Sequence, residues 1–258
     1  MAFAESAERM LARLVQLEKS VTCGQESRQN YLAMHGRRFA DILSLCRREV
    51  PNASARVLDI GRCELTAYLS GFYRNIQTLG LDPLVDDGGH REVSAMGDVP
   101  HITFDFLDAP HVSRWPEGDR FDLIVFSEVL EHLHVAPEFV LTFLSSLLSE
   151  RGILVCTTPN AAEIGKRIRM AMGRNPYERL RLYEMNPGHV REYTKRELGE
   201  IAKSVGLSCR DHSYFNWIED KDGNPIKALL VRLIRAYPAF RPFQMCILER
   251  LASAGSGE

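Results

Sequence analysis

Apolar and polar positions recur along the chain with two different periods, and these periods predict a series of strands and helices. Short apolar runs rich in β-branched residues predict strands, and apolar residues three and four positions apart predict amphipathic helices. The predicted strands are 56–61, 76–82, 101–104, 121–126, 153–157, 207–214 and 243–248. The predicted helices are 4–21, 26–48, 63–72, 137–148, 195–205 and 226–237. Strands and helices in this order indicate an α/β fold built on a parallel sheet.

The first two predicted helices, 4–21 and 26–48, precede the alternating part of the chain. We therefore expect an N-terminal helical region at 1–50, a core domain at 51–251, and a small polar tail at 252–258 that is flexible. Two roles stay open for the helical region, because it can either pack on a sheet edge or cover a substrate pocket.

The stretch 121–133 concentrates the candidate chemistry. Its uninterrupted Leu-Ile-Val-Phe run predicts a strand that is buried on both faces. Glu128, Glu131 and His132 follow, and all three can bind a metal or transfer a proton. In a helix that begins after Ser127 they occupy positions i, i+3 and i+4, so they project from one face. A polar cluster at the carboxyl end of a buried strand is typical of active sites in open α/β sheets.

The first two predicted strands form the outline of a nucleotide-binding βαβ unit. The first strand carries Asp59 and is followed by Gly61, which permits a sharp turn and a close approach of the backbone to a ligand. The second strand ends at Asp82, and Pro83 comes next. A carboxylate at this position can accept hydrogen bonds from both hydroxyl groups of a ribose.

Residues 161–188 interrupt the alternation and are predicted to form an inserted substrate lid, with one short basic amphipathic helix and loops. Its apolar residues Ile164, Ile168 and Met172 stand at helical spacing. Its basic residues are Lys166, Arg167, Arg169, Arg174, Arg179 and Arg181. Two interpretations stay open, a solvated basic face and a clamp for an anionic substrate. Peripheral attachment to an anionic membrane through this helix and the one at 226–237 is a third.

Composition excludes several classes of protein but names no function. The 258 residues carry a net charge of −2, which argues against a nucleic-acid binder that uses its whole surface. The six cysteines are scattered without a Cys-x-x-Cys pair, so neither a zinc ribbon nor a disulfide framework is expected. No signal-peptide pattern and no apolar run of about 18 residues is found. We therefore expect a cytoplasmic protein with reduced thiols.

The ends of the predicted strands carry an ordered set of residues that resembles class I S-adenosylmethionine-dependent methyltransferases. The set comprises Val57-Leu-Asp-Ile-Gly61, Asp82, Asp105, Phe121-Asp-Leu-Ile before Glu-x-x-Glu-His-Leu, and Gly152-Ile-Leu-Val with Thr-Pro-Asn160. It spans roughly residues 50–215. The resemblance implies a Rossmann-like, seven-stranded, mostly parallel sheet with strand order 3-2-1-4-5-7-6, helices on both faces and a final antiparallel hairpin.

The same resemblance implies that S-adenosylmethionine is the cofactor. The residues that it assigns to the cofactor are Asp59 and Gly61 at the methionine end, Asp82 at the ribose, Asp105 and Phe106 at the adenine, and Ser127.

One departure from the family pattern concerns the turn after the first strand. Family members continue with Gly-x-Gly-x-Gly, whereas this chain has Cys63 and Leu65 in place of the second and third glycines. Those glycines let the backbone approach the amino-acid part of the cofactor. Because all three acids of the pattern are present, we expect the cofactor to bind. The alternative is a degenerate relative that acts as a non-catalytic binding protein.

The Glu-x-x-Glu-His segment and a distal histidine before a Glu-aromatic-Thr run resemble two groups of metal-dependent O-methyltransferases. These are the small-RNA 2′-O-methyltransferases and, less closely, the ubiquinone-pathway enzymes. The resemblance implies a site for Mg²⁺ or another divalent metal, formed by Glu128, Glu131, His132 and His189. The expected catalytic residues are Glu131, His132 and His189, and a histidine can instead take the proton directly. The alternative is a metal-free polar pocket.

The sequence thus favours methyl transfer to an oxygen of a small polyhydroxylated molecule, such as a sugar, because vicinal hydroxyls match a metal site. N-methylation and methylation of an RNA end are the alternatives among enzymes. We expect a small-molecule partner and no nucleic acid, and the oligomeric state stays open.

Overall fold

The computed structural model describes residues 25–82, 99–180, 188–216, 234 and 236–251, with side chains from residue 35 onward. The predicted helix at 4–21, most of the one at 226–237 and the tail at 252–258 lie outside this part of the chain. Contacts divide the chain into two compact units, Met1–Thr103 and Phe104–Glu258. The predicted domain boundaries stay a prediction.

The described residues form helices and strands in the order that the apolar periods predict. The helices are α1 (Gln25–Glu49), α2 (Glu64–Ser70), α3 (Pro137–Leu147), α4 (Ile164–Ala171) and α5 (Lys195–Ser204). The strands are β1 (Arg56–Ile60), β2 (Asn75–Gly80), β3 (His101–Thr103), β4 (Phe121–Ser127), β5 (Leu148–Pro159), β6 (Leu207–Phe215) and β7 (Phe243–Arg250). Short 3-10 helices occupy Phe106–Asp108, Val112–Arg114, Leu130–His132 and Pro238–Phe240.

The seven strands form one sheet in the order β3-β2-β1-β4-β5-β7-β6. The pairs β1/β2, β2/β3 and β4/β5 are parallel. β7 is antiparallel to both β5 and β6, so the chain closes with the expected hairpin. The predicted fold class and strand order are therefore confirmed.

In the first unit, β1 and β2 form the centre of a small apolar core. Four of the five residues of β1 are buried. From α1, Phe39, Ile42 and Cys46 are buried as well. The N-terminus of α2 is closed by Thr66, whose side chain accepts a hydrogen bond of 3.1 Å from the backbone N–H of Cys63.

In the second unit, β4 is buried on both faces, as its apolar run predicts. Its four central residues, 123–126, have no exposed surface. β5 begins at Leu148, five residues earlier than predicted, because its first residues pair with β4 across an irregularity in the register. Gly152 lies at this irregularity, where a Cβ would stand 2.5 Å from the carbonyl oxygen of Phe121. Only glycine permits so close an approach of two strands.

The later part of the chain contains α5 and the shorter α4. α5 begins with a capping box, since the side chains of Thr194 and Glu197 each accept a hydrogen bond from the other's backbone N–H. α4 lies inside the predicted lid at 161–188 and has no buried residue, but the lid role itself stays a prediction. None of the described helices is long and apolar enough to cross a bilayer.

Candidate active site

The chain leaves β4 by a sharp turn and not by an α-helix. Glu128 has φ +54°, in the left-handed region, and only Leu130–His132 then forms a short 3-10 helix. The prediction that Glu128, Glu131 and His132 share one helical face is therefore wrong. The reason is local: the N–H of Glu128 donates to the carbonyl of Thr157 at 2.9 Å, and its Oε1 accepts from Thr157 Oγ1 at 2.9 Å.

A polar contact beside this turn ties β4 to β5. The hydroxyl groups of Ser127 and Thr157 lie 2.9 Å apart, and Thr157 also bonds to Glu128. These contacts hold the chain where the strand ends. The cofactor contact of Ser127 and the metal contact of Glu128 stay predictions.

Three of the four predicted metal ligands come together. Glu131, His132 and His189 each offer a ligand atom, and these atoms all lie within 4.8 Å of one another. The two imidazole rings are 5.1 Å apart between centroids and nearly perpendicular, at 79°. Glu131 is 1% exposed, whereas both histidines are partly exposed. The cluster thus has a buried carboxylate at its base and two imidazoles on its accessible side.

Backbone hydrogen bonds bring the distal histidine to the turn. The carbonyl oxygen of Glu131 accepts from the N–H groups of Val190 and Arg191, at 2.8 and 3.2 Å. Nδ1 of His132 lies 2.9 Å from the carbonyl oxygen of Gly188, 56 residues away in the chain. His189 therefore sits between residues that the turn itself holds.

The partners of the two imidazoles define which nitrogen carries the proton. A carbonyl oxygen only accepts, so Nδ1–H of His132 donates to Gly188 and the lone pair of the neutral ring is on Nε2. That Nε2 lies 4.0 Å from Oε1 of Glu131. Nδ1 of His189 lies 3.1 Å from Oε1 of Glu192, a carboxylate, so the same tautomer follows. Metal-binding histidines are usually held in this way, with the second nitrogen donating to a carbonyl or carboxylate.

Two further side chains fix the carboxylates of this region. Oε2 of Glu131 accepts from Thr158 Oγ1 at 2.9 Å. Glu192 accepts from Lys166 as well as from His189. Burial alone would raise the pKa of Glu192, but the hydrogen bonds from His189 and Lys166 outweigh it and hold that pKa below its ordinary value.

In the first unit, Asp59 and Gly61 form the turn that the βαβ pattern predicts. Asp59 is 1% exposed and accepts from Thr66 Oγ1 at 2.7 Å. Burial raises its pKa to about 7, although the bond from Thr66 acts in the opposite direction. Gly61 has φ +100°, and its N–H donates to the carbonyl of Leu79 at 2.8 Å. A residue with a side chain would be strained there.

The two residues that replace family glycines serve the start of α2. Cys63 is its N-cap, and burial, reinforced by the charge of Asp59, raises the pKa of the Cys63 thiol to about 12. Leu65 is 2% exposed and belongs to the apolar core. Leu65 is therefore part of the packing of the first unit, whereas Cys63 is half-buried at the helix start.

The remaining predicted cofactor residues follow β2 and β3. Asp82 comes two residues after β2 and is half-buried. Asp105 caps the 3-10 helix at 106–108, where its Oδ1 accepts from the N–H of Leu107 at 2.9 Å. Phe106 is half-buried and meets the ring of Phe126 edge to face, 6.1 Å between centroids. Their cofactor contacts stay predictions.

A cavity of about 630 Å³ lies next to the histidine cluster in the second unit. It is lined by the segment 133–138, by Val190, Arg191 and Tyr193, and by one face of α5. None of the three cluster residues lines it. Arg191 is bonded to Glu197 at 2.7 Å within the cavity wall, so its charge is already compensated there.

A protein-family model described as a methyltransferase domain matches residues 28–212. The chain belongs to this methyltransferase family. The match and the strand order together make it a class I S-adenosylmethionine-dependent methyltransferase. No curated protein sequence matches it.

Solved structures with the same fold include several methyltransferases. One from Clostridium acetobutylicum ATCC 824, dependent on S-adenosylmethionine, is 13% identical with a TM-score of 0.57, over 90% of this chain and 100% of that chain. The N-methyltransferase NodS from Bradyrhizobium japonicum WM9, solved with S-adenosylhomocysteine, is 15% identical with a TM-score of 0.53, over 92% and 97%. Magnesium protoporphyrin IX methyltransferase from Synechocystis PCC 6803, also solved with S-adenosylhomocysteine, is 13% identical with a TM-score of 0.50, over 92% and 93%. At these identities the similarity shows a shared fold.

Sequence patterns missed three side chains that support candidate residues, one in the first unit and two in the second. Thr66 bonds to Asp59, Thr158 bonds to Glu131, and Glu192 bonds to His189. Thr158 belongs to the Thr-Pro-Asn motif and Glu192 to the Glu-aromatic-Thr run, so both stood within segments that had been singled out.

Proposed function

We propose that this methyltransferase transfers the methyl group of S-adenosylmethionine to an oxygen of a small polyhydroxylated molecule, with a divalent metal held by Glu131, His132 and His189. The observation that carries the proposal is the cluster itself, whose ligand atoms lie within 4.8 Å of one another. Neighbouring ligands of a cation with bonds of about 2.1 Å stand about 3.0–3.4 Å apart, so the three side chains must close around the ion when it binds.

The chemistry of the donors fits a first-row transition metal. Two imidazoles and one carboxylate suit Mn²⁺ or Fe²⁺ better than Mg²⁺, which prefers oxygen ligands. The hydrogen bonds at both Nδ1 atoms present the lone pairs on Nε2 and hold the rings in place. The predicted fourth ligand, Glu128, is bonded to Thr157 through Oε1, so its role as a ligand stays a prediction.

Three protein ligands leave positions for oxygen atoms of the substrate. A divalent cation held by these residues would supply Lewis acidity, which would lower the pKa of an acceptor hydroxyl group. In the transfer, the acceptor oxygen forms a bond to the methyl carbon while the carbon–sulfur bond of the cofactor breaks; S-adenosylhomocysteine leaves, and the proton of the hydroxyl group is released to solvent. The chain contributes proximity and orientation, and the buried Glu131 carboxylate supplies negative charge beside the imidazoles. Vicinal hydroxyls, as in sugars, match two neighbouring positions.

Replacement of His189 by alanine tests the metal site, because it removes one of three ligands. We expect His189→Ala to weaken Mn²⁺ binding by at least about tenfold, and to leave the affinity for S-adenosylmethionine within about twofold. Electron paramagnetic resonance of free Mn²⁺ measures the first quantity and calorimetry the second. The matched control is His134→Ala, which removes an exposed histidine two residues from His132.

A second arm of this experiment concerns the reaction. Methyl transfer from radiolabelled S-adenosylmethionine to a panel of polyols and sugars should depend on added Mn²⁺ and stop in excess EDTA. Equal Mn²⁺ binding by the wild type and His189→Ala, or full transfer in EDTA, would refute the metal proposal. Transfer only to amine acceptors would refute the O-methylation part.

A further inference from the structure

We propose that Glu192 and Lys166 are positioning residues that together set the tautomer of His189. The pair links the first turn of α4 to the histidine cluster. Its importance for metal binding rests on the proposed function, whereas its effect on the tautomer of His189 does not.

The contacts of Glu192 use its two oxygen atoms separately. Oε1 lies 3.1 Å from Nδ1 of His189, and Oε2 accepts from the ammonium group of Lys166. Lys166 also donates to the carbonyl oxygen of Asn160 at 3.2 Å. The side chains of Glu192 and Lys166 are 8% and 15% exposed, against 33% for His189. The pair is therefore a largely buried support beneath a more accessible imidazole.

The backbone that carries Glu192 is held from two sides. The carbonyl oxygen of Tyr193 accepts from the N–H of Ala161 at 3.0 Å and from Nε2 of Gln244 at 2.6 Å. Asn160 and Tyr193 form an isolated bridge, so the segment lies against the end of β5. With its backbone fixed in this way, Glu192 presents its carboxylate in one orientation.

A carboxylate at this position satisfies both neighbours because both are donors. The ammonium group of Lys166 can only donate, so it needs an acceptor. The second oxygen then accepts from Nδ1–H of His189, and the lone pair of that imidazole is on Nε2. Removing the second acceptor while the ammonium group stays changes what the imidazole faces, because the ammonium group then takes the one acceptor that remains.

Glutamine distinguishes this arrangement from a merely structural contact. In Glu192→Gln only one acceptor oxygen remains, and the ammonium group of Lys166 donates to it. The amide NH₂ group then faces Nδ1 of His189, which must accept, so the proton moves to Nε2. In the double variant Lys166→Met with Glu192→Gln, the ammonium group is gone, and the amide can turn its oxygen back to Nδ1–H.

The test is a long-range ¹H–¹⁵N correlation spectrum of the histidine side chains at pH 8, where neutral rings report their tautomers, with His189 assigned by its loss in His189→Ala. We expect the Nδ1–H tautomer in the wild type, Nε2–H in Glu192→Gln, and a return to Nδ1–H in the double variant. Arg169→Met is the matched control, since it removes an exposed cation from the same helix. An unchanged tautomer in Glu192→Gln, or no return in the double variant, would overturn the proposal.

Mn²⁺ titration of the same variants separates this inference from the proposed function. Glu192→Gln should weaken Mn²⁺ binding about 10- to 100-fold, as is usual for the partner of a ligand, and the double variant should recover most of it. If the wild type binds no Mn²⁺, the metal proposal fails, and the NMR spectra alone decide the proposal about the tautomer. If the wild type binds Mn²⁺ but neither tautomer nor affinity responds to Glu192→Gln, the positioning role is wrong.

Discussion

At the scale of single residues, the methyltransferase buries one ionisable carboxyl group in its first unit. Asp59 is 1% exposed, and its carboxyl group has a pKa raised to about 7 by that burial, with Thr66 as its hydrogen-bond donor. A carboxyl group whose pKa is higher in the folded than in the unfolded state favours folding only while it is protonated. Its contribution is therefore present below the unfolded pKa and is lost as the pH rises through 7.

Replacing Asp59 by asparagine should abolish this pH dependence, because the amide keeps an acceptor for Thr66 but does not ionise. The difference in unfolding free energy between Asp59→Asn and the wild type should shift in favour of the variant by up to about 3 kcal/mol between pH 5 and pH 8. Urea denaturation at the two pH values measures it. A difference that is the same at both pH values would contradict the raised pKa.

Single residues also show which features of the site a sequence pattern can reveal. Asp59, Gly61 and the cluster of Glu131, His132 and His189 stood out because their residue types and spacing carry chemistry. The left-handed conformation of Glu128 did not, because it depends on contacts with Thr157, 29 residues further along the chain. Contacts between residues that are far apart in the sequence produce no periodic pattern of apolar residues.

At the scale of elements, strands and helices follow the apolar periods closely, since burial of one face or both decides their type. The start of β5 was missed because residues 148–152 are not an apolar run and pair with β4 only across an irregular register. The turn after β4 was missed for a similar reason, since tertiary hydrogen bonds prevent a helix there. The local pattern of apolar residues thus predicts the positions of strands and helices better than it predicts their ends.

Two glycine substitutions with opposite signs test the packing of these elements. Gly152→Ala should destabilise the protein by about 1–3 kcal/mol or more, because the new Cβ would stand 2.5 Å from the carbonyl of Phe121. Gly199→Ala, inside α5, should stabilise it by about 0.5–1 kcal/mol, because nothing lies within 4 Å of the new Cβ. Chemical denaturation measures both. Equal effects of the two changes would contradict the close approach at β5.

At the scale of the whole molecule, the fold and the family are settled by sheet order and by the match over residues 28–212, and both were predictable from the sequence. The acceptor was not, because it depends on side chains that the shared fold leaves variable. A net charge of −2 favours a small acceptor over a nucleic acid.

The most direct test of this account is anomalous diffraction from crystals of the methyltransferase soaked in Mn²⁺. The account predicts one strong peak within about 2.0–2.3 Å of ligand atoms of Glu131, His132 and His189, with the peak lost in His189→Ala. A map with no peak at these three residues, or with its strongest peak elsewhere in the protein, would contradict the proposed metal-assisted O-methylation.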